Sequence, residues 1–532
     1  ARRGRLSRRE FLSLASTFGL GAAASYGVLG AAPPAQAEIA APALRPGGGG
    51  VLRIAMSVPP IRDPRLYEWR QSAEIARPFC EPLVRYRADG LFEPWLLRSW
   101  EVSADASRYL LRLRSGARWS NGDAFGAADV LANLRRWCDR GTPGNSMADR
   151  LSALIDPNTG GLAERAVDML DDLTIRLTLL RPDVTLIAAL TDYPALVTHR
   201  SFDATGADLA AQPLGTGPFE LVSHEPGVRA EVRRRERGAW WGGEAYLDGV
   251  VWRDFTDQPS VEEAAFAAGE IDLNYETPPG RRAALDGLGL RALAAESAET
   301  VVIRLNRRVE GFADPRLGQA FQRAVDPAAI IKAAAPGEAT PAAHHHVWPG
   351  HPEFADTPAP SPDPAAARAL LAEAGLTAVT AELVSVDDAE RRRAADAVAE
   401  QLNGAGVAAT RAVLPAERFW RGWKTHPFSI TPWTMRPLAA QTLALAYRSD
   451  AVWNESGFAD PVFDALLEVA LEVADLPTRR LVMGRLQRRL QSSGAIIQPY
   501  WRAVRRHHHR RVAGLQPHPM LELHLETVFL AP

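Results

Sequence analysis

From Val51 to the C-terminus, strand-like and helix-like segments intermix without a fixed repeat or an internal duplication. Such a mixture indicates α/β or α+β lobes. Val51–Met56, Tyr109–Arg114, Leu173–Leu179, Arg229–Arg235, Gly249–Phe255 and Val301–Asn306 read as strands. Helical spacing marks Ser72–Arg85, Ala127–Trp137, Val261–Ala268, Pro315–Val325, Ala365–Ala374 and Ala389–Asn403, and Phe463–Leu490 carries two long amphipathic helices. Gly269, Gly375 and Gly404 follow three of these helices, where a left-handed cap favours glycine. Asn121-Gly122 is a tight-turn signal, and Gly215–Phe219 is a turn entering a strand. The chain has 532 residues, and a prior of ~150 residues per domain predicts three or four lobes.

The N-terminus carries the three parts of a secretory signal: a basic stretch, a mildly apolar run over Leu12–Leu29, and Ala35-Gln36-Ala37 as a small-residue exit. Ser7 to Leu12, with Arg8 and Arg9, looks like the twin-arginine export motif, which serves proteins moved in the folded state. The alternative, a membrane anchor, is disfavoured by Gly19, Gly21 and Gly27 in a short, weakly apolar run. Residues 1–37 are therefore expected to be cleaved, 38–50 to be a flexible linker, and the remainder to be soluble and periplasmic. No cysteine follows the apolar run to take a lipid.

The net charge of -2 gives no general pull toward nucleic acid, so no nucleic-acid partner is expected. Cys80 and Cys138 are the only cysteines; one disulfide and two buried thiols both fit. Phosphate-cradling loops, dinucleotide fingerprints, the G-x-S-x-G elbow and H-E-x-x-H are absent. No cofactor is called for, and the chain is read as not an enzyme. Seven histidines sit in His344–His346, His351 and His507–His509. Tandem histidines suit a borderline transition metal, and His344, His345 and His346, between prolines, are the tract able to converge. Solvated loop residues are the plainer reading of both tracts.

Several segments then coincide with one family. Trp100–Asp105, Tyr109–Asp123 and Ala128-Asp129-Val130 resemble the signature region of the extracellular solute-binding proteins, family 5, which serve peptide and nickel ABC importers. The resemblance continues in order through Gly215–Phe219, Ala268–Asp272, Asp314–Leu317 with Gln319-Ala320 and Val325-Asp326, Ala369–Gly375, Trp453–Asp464 and Gly494–Pro499. It implies the type II periplasmic-binding fold of cluster C, with three lobes and a ligand cleft between lobes I and III. Lobe I would comprise 51–82, 213–298 and 496–532; lobe II would be 83–212 and lobe III 299–495. The implied function is capture of a peptide or similar polar solute by a monomer that meets an ABC permease and its ATPases. A metal-chelate or haem carrier of the same family and, from another class, an exported hydrolase are the rival readings.

In the peptide binders that this chain resembles, an aspartate shortly after a tryptophan pairs with the peptide amine. The matching stretch, Thr431 to Pro437, holds Trp433, Met435 and Arg436 but no aspartate. A guanidinium suits a carboxylate, a phosphate or a polyol oxygen, so Arg436 is expected to read an acidic or oxygen-rich end of the solute. The plain alternative has Arg436 bonding loop carbonyls or Glu455. Arg436→Ala is expected to abolish solute retention and leave the empty protein's melting temperature nearly unchanged. Aromatic residues gather at Trp348, Phe419, Trp420, Trp423 and Trp433, and Tyr67 and Trp69 follow Asp63-Pro64. Trp433, Trp348, Tyr67 and Trp69, with Asn274 and Tyr275, complete the expected ligand contacts.

Overall fold

The computed structural model describes residues 16, 17, 19, 49–256, 258–376 and 378–531. The chain forms two compact units. The first holds the described residues through Thr277, Ala283–Ala294, and the chain from Arg505 on; the second holds Pro278–Arg282 and Ala295–Val504. Arg8, Arg9, Ala35 and Ala37 lie outside the described residues, as does nearly all of the 38–50 linker.

In the first unit, Val51–Ala55 runs parallel to Gly249–Arg253 on one side and to Leu273–Asn274 on the other. Arg229–Arg234 and Phe219–Glu225 extend the sheet antiparallel beyond Gly249–Arg253. A second, antiparallel sheet orders Leu97–Val102, Arg108–Leu113, Thr174–Thr178 and Val167–Asp171. The alternation read at Tyr109 is realised there: Tyr109, Leu111 and Leu113 are buried while Leu110 and Arg112 are half-buried. Gly215 and Gly217 are needed because their backbone lies against Pro78 and Phe79. The Gly217 and Phe219 amides donate to the carbonyls of Phe79 (3.0 Å) and Pro78 (3.1 Å). A Cβ at either glycine would overlap those carbonyl oxygens. Cys80 and Cys138 are buried free thiols, and burial pushes the Cys138 thiol up to about 12.

In the second unit, Ala408–Leu414, Thr380–Val386 and Phe428–Trp433 are parallel neighbours, and Phe428–Trp433 pairs antiparallel with Arg291–Leu305 from Thr300 to Leu305. Both faces of this sheet are covered. Val301, Ile303 and Leu305 enter one core with helices Pro315–Ala324, Pro327–Ala334, Pro364–Glu373 and Ala389–Gly404. Val302, on the opposite face, enters another with Ala439–Ala446, Pro461–Glu472 and Leu476–Ser493. This is the two-residue strand period written into two cores.

Two local expectations change. The helix over Ser72–Arg85 is Arg70–Ala76 only, and Val84–Tyr86 is a strand. Pro78 and Pro82 remove the backbone donors that a longer helix would need. The strand expected at Val301–Asn306 is the end of a 15-residue strand, Arg291–Leu305. Among the described residues no helix is long and apolar enough to cross a membrane.

Candidate functional site

The second unit gathers the Trp433 loop, the histidine tract and Trp453 around one buried carboxylate. Glu455 accepts hydrogen bonds from Thr431 Oγ1 (2.6 Å) and Trp433 Nε1 (2.8 Å) on one oxygen, and from Arg304 Nε (3.1 Å) on the other. Arg304 and Glu455 are both buried, so each charge depends on the other and on these donors. The Trp433 indole therefore has its N–H engaged, and its ring packs edge-on against His346 (5.4 Å) and Trp453 (6.0 Å).

Arg436 is only 2% exposed. Its Nη1 donates to the Thr434 carbonyl (2.9 Å), Thr434 Oγ1 (2.6 Å) and the Met435 carbonyl (3.4 Å). Its guanidinium lies 5.8 Å from the Trp453 ring. The backbone carbonyl of Arg436 accepts from His351 Nε2 (2.9 Å), and His351 Nδ1 accepts from the Trp348 amide (3.1 Å). Met435 is buried, with its sulfur accepting from Ser297 Oγ (3.7 Å). The structure thus brings Trp348, Trp433, Met435 and Arg436 together, with Arg436 turned onto its own loop.

The histidine tracts are buried except at His509, which is half-buried. His344, His345 and His346 are 1–2% exposed, and burial lowers them to about 4, 3 and 3. His344 Nδ1 accepts from the Gln498 amide (2.9 Å), His345 meets Gln487 (3.3 Å), and His346 Nδ1 bonds the Tyr447 hydroxyl (2.7 Å). They serve as neutral polar links in the interior and do not converge as a ligand set. His507 is also buried, between Thr277 Oγ1 (2.8 Å) and Asp286 (3.1 Å).

The first unit presents a second group. Asp63 caps the turn at Pro64–Leu66 and pairs with Arg65 (3.0 Å) and Arg136 (2.8 Å). Tyr67 is buried and donates to the Ile61 carbonyl (3.1 Å), whereas Trp69, at the start of helix Arg70–Ala76, is 37% exposed. Arg70 bonds Glu276 (2.9 Å) and lies 5.7 Å from the Tyr275 ring. Asn274 is locked by Glu262 (3.2 Å), Thr277 (3.0 Å) and the His507 amide (2.7 Å). Tyr275 is buried beneath Arg70 and Arg506, with no hydrogen-bond partner for its hydroxyl among the described residues. Burial raises that phenol and lowers Arg506.

Sequence reasoning missed Arg70, Glu276 and Arg506, as well as Glu455 as the organising acid. Arg70 and Glu276 adjoin the chosen residues Trp69 and Tyr275, so adjacency was the one available signal. Arg506 joins Tyr275 from 231 positions away, a contact only the fold supplies.

Residues 92–455 match the model of the bacterial extracellular solute-binding proteins, family 5. The glutathione-binding protein GsiB of Pectobacterium atrosepticum is 28% identical over 76% of this chain and 79% of its own. The protein of the same name from Salmonella paratyphi A is 29% identical over 57% of each chain. The Helicobacter pylori periplasmic binding protein DppA, solved with the peptide STSA, superposes with a TM-score of 0.80 at 22% identity, covering 91% of this chain and 99% of that one. The expected mixed α/β periplasmic-binding fold is therefore the fold observed. With the family model matched over more than half its length, this chain belongs to the bacterial extracellular solute-binding proteins of family 5.

Proposed function

We propose that the protein is the substrate-binding component of an ABC importer, capturing a short peptide or similar polar solute outside the cytoplasmic membrane. It delivers that solute, unaltered, to a permease driven by its ATPases, and it acts as a monomer exported through the twin-arginine route. The carrying observation is the family match over residues 92–455. Relatives named for glutathione and a fold neighbour solved with a tetrapeptide support short peptides, glutathione among them. The lobe boundaries given above belong to this proposal, as do the ligand contacts Arg436, Trp433, Met435, Trp348, Tyr67, Trp69, Asn274 and Tyr275. Arg436 supplies the cation for a solute carboxylate, and the absence of an aspartate from Thr431 to Pro437 supports an acid-end reading over amine capture.

Native mass spectrometry of the purified protein, followed by calorimetry with glutathione and tri- to tetrapeptides, tests this. The expected result is one equivalent of a peptide-like solute, retained without turnover and lost in Arg436→Ala. Equal affinity in wild type and Arg436→Ala defeats the assigned contact. Binding of no peptide, or its conversion to product, defeats the proposed function.

A further inference from the structure

We propose that His518, Glu522 and His524 form a binding site for one divalent first-row metal ion of the zinc class, separate from the His344–His346 tract. One ligand atom from each of the three lies within 4.8 Å of the others, and among the described residues this is the group that converges so. The spacing of four and then two residues fits no single helix face. A turn creates the convergence: the Leu521 amide donates to the His518 carbonyl (2.9 Å), and Leu521 is left-handed at φ 58°. That turn is held from outside. Arg506 Nη2 donates to the Leu521 carbonyl (2.6 Å), and the Leu523 amide donates to Glu74 (3.1 Å).

Each ligand is oriented for the task. His518 is buried and donates from Nε2 to the Tyr86 carbonyl (2.9 Å). This is how ligating histidines are commonly fixed, and it leaves Nδ1 as the electron-pair donor. Among the described residues that nitrogen accepts from the Met520 (3.2 Å) and Glu522 (3.4 Å) amides, two hydrogen bonds that a bound ion would replace. Glu522 presents one oxygen to Arg77 (2.9 Å) and the other toward His524 Nε2 (3.6 Å). His524 Nε2 is buried and makes no hydrogen bond among the described residues. Arg77 also pairs with Glu74 (2.9 Å), so its charge is balanced beside the site. Two neutral imidazoles and one carboxylate, with a position left for water, are a recognised zinc donor set. A bound ion would fasten the C-terminal segment beside Tyr86.

The test uses the untagged full chain, stripped with a chelator and dialysed. Calorimetry with zinc should give one equivalent, and cobalt(II) should give the visible spectrum of a four- or five-coordinate nitrogen–oxygen site. His524→Gln, at a half-buried position, should abolish both and keep the far-UV spectrum of the stripped wild type. The inference is overturned by a wild type that takes up no zinc, or by a His524→Gln variant that retains it. A cobalt spectrum like that of the aqueous ion in the wild type also overturns it, even where the variant does not fold.

Discussion

Two buried carboxylates, Glu81 and Glu455, each gather several donors from distant parts of the chain. Glu81 does so in the first unit: the indoles of Trp95, Trp240 and Trp241 and the Thr216 hydroxyl all donate to it, at 2.8–3.1 Å. Glu455 does the same in the second unit with Arg304, Thr431 and Trp433. Removing one member of such a set leaves the others desolvated and unpaired. Glu455→Ala is therefore expected to destabilise by about 3 kcal/mol or more, read by urea unfolding; a loss under about 1 kcal/mol, the worth of an exposed pair, counts against it. The same reasoning revises Arg436→Ala. A guanidinium at 2% exposure, with three acceptors in its own loop, is a structural member. Its removal is expected to lower the empty protein's melting temperature as well as solute retention, contrary to the sequence-based expectation. Arg436 was selected from chemistry alone; it is buried beside His351 and Trp453, and no pattern in the sequence announces those neighbours.

Elements begin and end where local chemistry dictates. Asp314, Asp326, Asp363 and Asp460 each accept a backbone N–H at a helix start and are each followed by proline at the first helical position. An Asp-Pro pair suits both roles, acceptor for an orphan donor and a preset φ without an N–H. The starts at Pro315, Pro364 and Pro461 were readable to within a few residues, whereas the helix Pro327–Ala334 was not read. The strands Thr380–Val386, Ala408–Leu414, Phe428–Trp433 and Tyr500–His508 were not read. The second is alanine-rich, the third contains Pro432, and the fourth is rich in arginine and histidine; each composition argues against a strand in isolation. Pairing with neighbours overrides it. The Gly215–Phe219 turn gives an element-scale prediction. Gly215→Ala places a methyl against the Phe79 carbonyl, and overpacking of this kind costs about 1–3 kcal/mol. A variant as stable as wild type in thermal unfolding contradicts the close approach.

For the whole molecule, the buried histidines set the response to acid. His344, His345 and His346 ionise at about 4, 3 and 3 in the folded state, against roughly 6.5 in the unfolded chain. Between those values the unfolded state binds more protons, so stability falls as pH drops from 6.5 toward 3 and levels off below that. Glu74, raised by burial to about 7, acts oppositely: its contribution is present below the unfolded carboxyl value and is lost as pH rises toward 7. His518, lowered by burial to about 3, acts with those three, and four histidines outweigh one carboxyl. The melting temperature should decline steadily below pH 6.5, with a shallower slope in His345→Gln. A flat profile from pH 6.5 to 4.5 refutes this account.

The sequence by itself determined the family, the mixed α/β class and the starts of several of the helices. Periodicity, Asp-Pro caps and a close-packed Gly-Thr-Gly-Pro-Phe turn act within a few residues of chain, so they are legible one segment at a time. The tertiary structure decided which polar groups are buried and what satisfies them. His344 meets Gln498, Arg304 meets Glu455, and Arg506 lies over Tyr275, all across more than 150 residues of chain. Desolvation depends on everything that surrounds a group, and in this chain the surroundings of the histidines, Arg436 and Glu455 come from segments far apart in sequence.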